Sequence, residues 1–155
     1  MIDQGDNVSV RAVFLTSSST VLLMKVVGQA GELWITPGGR IRAGEAPLDA
    51  LAREIEEDTG QVAVRPECEI WVRHGTFVAS GRRLPETERF FLIRCADFEP
   101  SIAAMEAIER RRFREFRWWS IRDVCDSGKR FSPRRLGELL LDLERNGPPP
   151  FPEES

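Results

Sequence analysis

The sequence predicts an α/β fold with a mixed β-sheet held between helices. Three observations lead there. Strands of alternating polarity recur along the chain, two amphipathic helical segments interrupt them, and 155 residues at 41% hydrophobic content are enough for one well-buried core but not for two ordinary domains. Taken in order, Val8 to Leu15 and Val21 to Val27 flank the polar turn Thr16 to Thr20 and read as a hairpin. Trp34 to Gly39 reads as a short strand ending in a Pro-Gly-Gly turn. The first helix follows, with Pro47 suited to its first turn and Ala46 a poor N-cap. Val62 to Val64 is expected as a short strand and Glu69 to Val78 as a longer one. Thr87 to Cys95 is its antiparallel neighbour across Ala79 to Glu86, and Met105 to Arg112 is a loop before the last strand, Phe113 to Trp119. A second helix opens with Ser132 as N-cap and Pro133 at its first position and runs to about Arg145, where Leu136, Leu139, Leu140 and Leu143 form a stripe that packs on the sheet. Gly147 to Pro152 stops that helix. Residues 1–155 are thus expected to form a single domain, with 147–155 a Pro-rich, loosely anchored extended tail.

The first helix has two sides. At about 100° per residue, Leu48, Leu51, Ala52, Ile55 and Thr59 share one arc, while Glu54, Glu57 and Asp58 gather on the other with Arg53 beside them. Ala50 falls in the acid arc, where a small side chain is expected to leave room for an ion and a phosphate. Two carboxylates ~4 Å apart repel by ~4 kcal/mol at an effective dielectric of ~20, so three together call for a cation or for solvent. Oxygen ligands without Cys or His point to Mg²⁺, with Mn²⁺ as the alternative, and Mg²⁺ is commonly shared between carboxylates and substrate phosphates. Gly38 and Gly39, just upstream, permit positive φ and close approach of backbone to phosphate oxygens, which makes them candidate substrate-binding positions. An acidic run alone is usually a solvated helix face. Here it stands in register with two glycines, Glu45, Arg53 and the preceding strand.

That register resembles the box of the Nudix hydrolases: Gly, five residues, Glu, seven residues, then Arg-Glu-aliphatic-x-Glu-Glu-x-Gly-aliphatic. The chain supplies Gly39, Glu45 and Arg53-Glu54-Ile55-Glu56-Glu57-Asp58-Thr59-Gly60, with Asp58 in place of the last Glu and Gln61 in place of the aliphatic residue. The resemblance implies a Nudix-type α/β/α sandwich and hydrolysis of the pyrophosphate linkage of a nucleoside diphosphate linked to a group X: a nucleoside triphosphate, a dinucleoside polyphosphate or a nucleotide sugar. It further implies Mg²⁺ held by Glu54, Glu57 and Asp58. Glu57 is the first choice for orienting or deprotonating the attacking water, and Arg53 holds the carboxylates by ion pairing with Glu45 nearby. The family often places another catalytic acid in the loop upstream of an Arg-Trp-Trp segment, matched here by Arg117-Trp118-Trp119. Glu109 is the candidate, with Glu106 and Glu88 in reserve, and a solvated ion pair is the competing reading for Glu109. The alternative function is a catalytically weak or inactive Nudix-fold module that binds a nucleotide for regulation, and Asp58, one methylene short, is its sequence support.

Composition narrows the partners. A net charge of −3 and a pI near 5.4 argue against a nucleic-acid polymer and leave a small nucleotide compatible. Cys68, Cys95 and Cys125 are odd in number and far apart, which suggests neither a disulfide framework nor a zinc site. Met1 to Asn7 lacks the basic and apolar regions of a signal peptide, and no apolar run is long enough for a bilayer, so a soluble cytoplasmic protein with no membrane partner is expected. Arg73 is a candidate for substrate phosphate, whereas Arg82 and Arg83 fall at solvated turn positions. Trp71, Phe77, Trp118 and Phe131 are candidates to stack on a base and equally candidates for core. His74 is expected to be structural. A homodimer is open, because Nudix relatives often pair.

Overall fold

The computed structural model describes residues 7–155; residues 1–6, most of the segment read as lacking a targeting signal, lie outside the described residues. Strand β1 (Val8–Leu15) is the spine of the sheet. It pairs in parallel along its whole length with β6 (Arg82–Arg94), from Val8 opposite Thr87 to Leu15 opposite Arg94. The expected hairpin between β1 and β2 (Thr20–Gly28) persists as a single rung, Leu15 opposite Val21. The two strands part because β4 (Gly38–Arg40) takes the same edge of β1, placing Ser9, Val10 and Arg11 opposite Arg40, Gly39 and Gly38.

Two half-sheets result. One contains β4, β1, β6, β5 (Cys68–Ala79) and β9 (Glu153–Glu154). The other contains β2, β3 (Gly31–Ile35), β7 (Phe113–Ser120) and β8 (Phe131–Ser132). A cleft opens between them where β1 and β2 diverge.

Helices cover both faces. Alternate side chains of β1 and β6 point to opposite sides, as the period of two requires. Val10, Ala12, Phe14, Phe91 and Ile93 pack with Leu51 and Ile55 of α1 (Pro47–Thr59). Val13, Leu15, Phe90 and Leu92 pack on the other face with α3 (Ile121–Asp126) and α4 (Leu136–Asn146), whose four leucines are buried as the stripe predicts. This is the α/β/α sandwich expected. Each fully buried Leu or Ile in these layers contributes about 1.5–3 kcal/mol.

Several elements differ from the sequence reading. The buried side of α1 is rotated toward the acids: Leu48 is 55% exposed and Ala52 is exposed, whereas Ala50, expected beside an ion, is fully buried in the α1 face of the core. The cause is β4, whose glycine backbone lies against the acid side of the helix and seals it. Residues 62–64 form no strand, because Ala63 sits at φ 55° and turns the chain; Val62 is 66% exposed. Met105 to Arg112 is not all loop, since α2 (Ala107–Arg112) forms there with no buried residue. Four helices are present among the described residues, not two. Ser132 does not cap α4: it is paired with Ile35 in β8, and the helix begins at Leu136. The tail is anchored. Trp71 and Val72 of β5 pair with Glu153 and Glu154, and the Ser155 amide donates to the Val72 carbonyl at 3.0 Å.

Candidate active site

The site is built where α1 meets β4. Glu54 and Asp58 are one helical turn apart, on a face that the helix turns inward, so both are buried, at 4% and 1% exposure. What they face is backbone. The Gly38 amide donates to Asp58 Oδ2 at 2.9 Å, and a Cβ built at Gly39 would lie 2.5 Å from the Glu54 carboxylate. Gly38, at φ 149°, has no room either, because a side chain there would strike the Val10 carbonyl across the β1 pairing. The two glycines expected to admit phosphate therefore also admit two carboxylates, and both line the cleft.

Glu109 of α2 completes the group. One carboxylate oxygen each from Glu54, Asp58 and Glu109 lie within 4.8 Å of one another. Among the described residues, Glu54 Oε2 and Asp58 Oδ1 are buried and have no hydrogen-bond partner. Burial pushes the Asp58 carboxyl well above the usual carboxylate range, against the Gly38 hydrogen bond, and Glu109 and Glu54 add repulsion. Glu54 moves the same way, chiefly through burial, with Arg53 opposing. Carboxylates held so close, with acceptor oxygens unused, match a hard divalent cation. The residues present fit that ion.

Arg53 organises the neighbouring acids. It grips Glu45 with two hydrogen bonds of 2.8 Å, and its Nη1 donates to Glu54 Oε1 at 2.8 Å and to Glu57 Oε2 at 3.4 Å. Its Nη2 also reaches the Arg40 carbonyl at 3.1 Å. The Arg53 hydrogen bond, aided by the Arg42 amide, holds the Glu45 carboxyl down at about 2. Glu57 stands apart from the three grouped acids. It lies between Arg53 and Arg42, whose Nη2 is 3.7 Å away, and faces a second opening of about 420 Å³ shared with Glu54, Glu106 and Glu109. Of the metal ligands expected from sequence, the structure thus brings Glu54 and Asp58 together, adds Glu109, and sets Glu57 at the rim.

The cleft itself has a volume of about 520 Å³ and runs from Asp58 and Glu109 across the floor of the first half-sheet. Arg73 lies on that floor, but its charge is already used. It pairs with Glu86 at 2.6 Å and with Glu88 at 2.5 Å, and Glu88 is bound from the other side by Arg11 at 3.0 Å. Burial pushes the Glu88 carboxyl up, yet Arg11 and Arg73 outweigh it and the net shift is downward. Glu88 is therefore a paired floor residue, not a spare acid. Arg11, which sequence reasoning did not single out, also donates to the carbonyls of Thr36 and Gly38, tying the floor to the turn that holds Asp58. Glu106, the other reserve, pairs with Arg42 at 3.2 Å. Of the four aromatics, Phe77 lines the cleft, Trp71 and Phe131 are core, and the half-buried Trp118 donates to the Phe98 carbonyl. His74 is exposed, with its Nδ1 3.2 Å from Thr87 Oγ1.

The NUDIX domain family model matches residues 6–140, which include every one of these side chains. The chain belongs to the Nudix hydrolase family. Its relatives within the family include a Mycobacterium tuberculosis protein provisionally named mutator protein MutT4, 31% identical over 134 residues, which cover 79% of this chain and 50% of that one. The chain thus spans half the length of this relative. Another is an RNA pyrophosphohydrolase of Thioalkalivibrio sulfidiphilus, 27% identical across 96% of this chain and 93% of that protein. Solved structures share the Nudix fold: a NUDIX hydrolase from Nitrosomonas europaea at a TM-score of 0.67, with 20% identity over 92% of this chain and 93% of that one. The NUDIX domain of Shewanella oneidensis NrtR, complexed with ADP ribose, gives 0.66, with 19% identity over 89% and 88%. Gly39, Glu45, Arg53, Glu54 and Asp58 of the Nudix box meet in space here, joined by Glu109 from outside it. Asp58, the departure from the box, joins the acid group through the Gly38 amide.

Proposed function

We propose that this chain is a divalent-cation-dependent pyrophosphohydrolase. It cleaves the pyrophosphate linkage of a nucleoside diphosphate linked to a group X, whether a nucleoside triphosphate, a dinucleoside polyphosphate or a nucleotide sugar, to a phosphomonoester and the remainder of the nucleotide. The observation that carries this reading is the convergence of Glu54, Asp58 and Glu109 around buried oxygens without partners. Mg²⁺, or Mn²⁺ in second place, supplies neutralisation of the diphosphate charge and acidification of water when bound there. Glu54, Asp58 and Glu109 hold the ion. Glu57, at the rim and loosely bonded at 3.4 Å to Arg53, orients the attacking water and takes its proton. Arg53 fixes Glu45, Glu54 and Glu57 relative to one another, a task for which a forked guanidinium is suited and an ammonium is not.

The remaining residues position the substrate. Gly38 and Gly39 let phosphate approach the backbone. Arg112 lines the cleft with no carboxylate within ion-pair distance among the described residues, which favours it over the neutralised Arg73 as a phosphate contact; the Arg40 guanidinium lies over the Phe77 ring instead, 5.0 Å from its centroid. The ADP ribose on the Shewanella domain supports a nucleoside diphosphate as the recognised unit.

A phosphate-release assay over a nucleotide panel with Mg²⁺ and Mn²⁺, run beside Glu57→Gln, tests this. Turnover by the wild type that the substitution abolishes supports the hydrolase. Binding of nucleotide with no turnover in either protein replaces it with a nucleotide-sensing module.

A further inference from the structure

The cleft floor carries a glutamate, Glu86, with one carboxylate oxygen uncommitted among the described residues. In the β5–β6 pairing Gly75 stands opposite Glu86, so Glu86 has no side chain across from it, and a Cβ at Gly75 would collide with the Arg73 guanidinium. Alternate positions of β5 face the cleft, which puts Arg73 and Phe77 on either side of Gly75, with the Arg73 guanidinium folded over the glycine. From Gly39 on β4, Glu86 lies two strand spacings away across β1 and three residues further along β6, roughly 14 Å at ~4.8 Å per spacing and ~3.3 Å per residue. That is the distance scale from a phosphate to the far edge of its base. The opposite wall is apolar, with Met24, Val26, Leu33 and Phe113. One face offers contact to a flat ring and the other offers polar atoms at its rim.

Those polar atoms are selective. Arg11, Arg73, Glu86 and Glu88 balance one another, so this network offers a poor seat for phosphate; the Arg40 guanidinium, 5.0 Å from the Phe77 ring centroid, stands outside it. Both Glu88 oxygens are taken, one by Arg11 and one by Arg73. Glu86 is bonded to Arg73 through Oε1, leaving Oε2 without a partner among the described residues. A carboxylate fixed by a guanidinium accepts hydrogen bonds and repels acceptors. Of the common bases, guanine alone presents two adjacent donors, its ring N–H and its exocyclic amino group, to one carboxylate; on adenine, cytosine and uracil each donor is flanked by an acceptor.

Resting on the hydrolase reading for where the phosphates lie, we infer that the cleft floor at Glu86 is the base-reading subsite and that Glu86, held by Arg73 over Gly75 and flanked by Phe77, selects a guanine nucleotide.

The test is calorimetric binding of GDP, IDP and ADP in the presence of Mg²⁺, with turnover of the matching triphosphates alongside. IDP lacks only the exocyclic amino group, so the wild type is expected to bind GDP on the order of ten- to a hundredfold more tightly than IDP. Glu86→Gln, which exchanges an acceptor for a donor, is expected to bring the two within about threefold, and Glu86→Asp to keep part of the preference. Phe77→Leu should weaken all three ligands by about tenfold and leave their ratio unchanged. Equal affinity for GDP and IDP in the wild type, a preference that survives Glu86→Gln, or no nucleoside diphosphate binding at all overturns the inference. Absence of turnover on every triphosphate, with the GDP preference intact, defeats the hydrolase reading instead.

Discussion

At the acid corner of the cleft, Glu54, Asp58 and Glu109 converge and the nearest guanidinium, Arg53, is shared with Glu45 and Glu57. On the floor of the same cleft, Glu86 and Glu88 meet Arg11 and Arg73 one for one. Both regions bury carboxylate, yet the shifts have opposite signs: Glu54 and Asp58 are driven up and Glu88 is driven down. Burial alone costs charge, and what differs is who supplies the counter-ion. The floor carries its own. Among the described residues the corner has only a shared Arg53, and the cation proposed above would supply the rest. That difference marks a candidate binding site against a structural network more sharply than the count of acids does.

The contrast can be broken most forcefully at the corner. Glu54→Gln is expected to lower kcat by on the order of 10³-fold and to abolish Mg²⁺ uptake in a calorimetric titration. At the same time it should raise the melting temperature of the metal-free protein, because burial and the repulsion from Glu109 and Glu57 outweigh the Arg53 pair; a drop would show that the pair dominates instead. Glu88→Gln should act in reverse, leaving Arg11 and Arg73 short of a partner. Since these guanidiniums are partly solvated, about 2–3 kcal/mol of stability is the expected loss, read from denaturant unfolding with and without Mg²⁺.

Titration sharpens the same difference. A carboxyl whose folded pKa is raised stabilises the fold below its unfolded value, and that contribution is lost as pH rises through the folded value, about 8 for Asp58. Metal-free protein is therefore expected to lose melting temperature between about pH 4 and 8, and saturating Mg²⁺ to flatten the decline. A flat profile without metal would remove the basis for the corner's strain. Glu45 has the opposite sign: its contribution is present above about 4.5 and disappears as pH falls toward about 2. The smallest effect belongs to the tail. Deleting residues 152–155 removes two residues of edge pairing and is expected to cost under about 1 kcal/mol with kcat unchanged, because β9 lies at the sheet edge away from the corner.

Much of this was legible in the residues. The strands around β1, β5, β6 and β7 announced themselves through period-two polarity, and the leucine stripe of α4 through its helical spacing. Glu54, Asp58 and Arg53 lie within one short helix, so their grouping is a local fact. The floor was invisible for the opposite reason: Arg11 and Glu88 are 77 positions apart and meet because β1 and β6 run parallel, a pairing no local pattern encodes. Helix α2 buries nothing and so carries no apolar stripe to find. Helix α3 did leave a signal, a Ser120 cap bonded to the Asp123 amide within a Ser-x-x-Asp start, but six residues are too few for periodicity to show. The rotation of α1 depends on which neighbour covers its acid side, and that neighbour is the glycine backbone of β4.

One missing methyl group governs the chemistry of this cleft. The volume that an alanine would fill at position 39 is occupied by the head of Glu54. The mildest replacement available to the chain there would displace the Glu54 carboxylate rather than crowd backbone, and on the proposed chemistry it is expected to leave the sheet whole while removing turnover. Position 39 is thus expected to separate what folding tolerates from what the proposed catalysis requires.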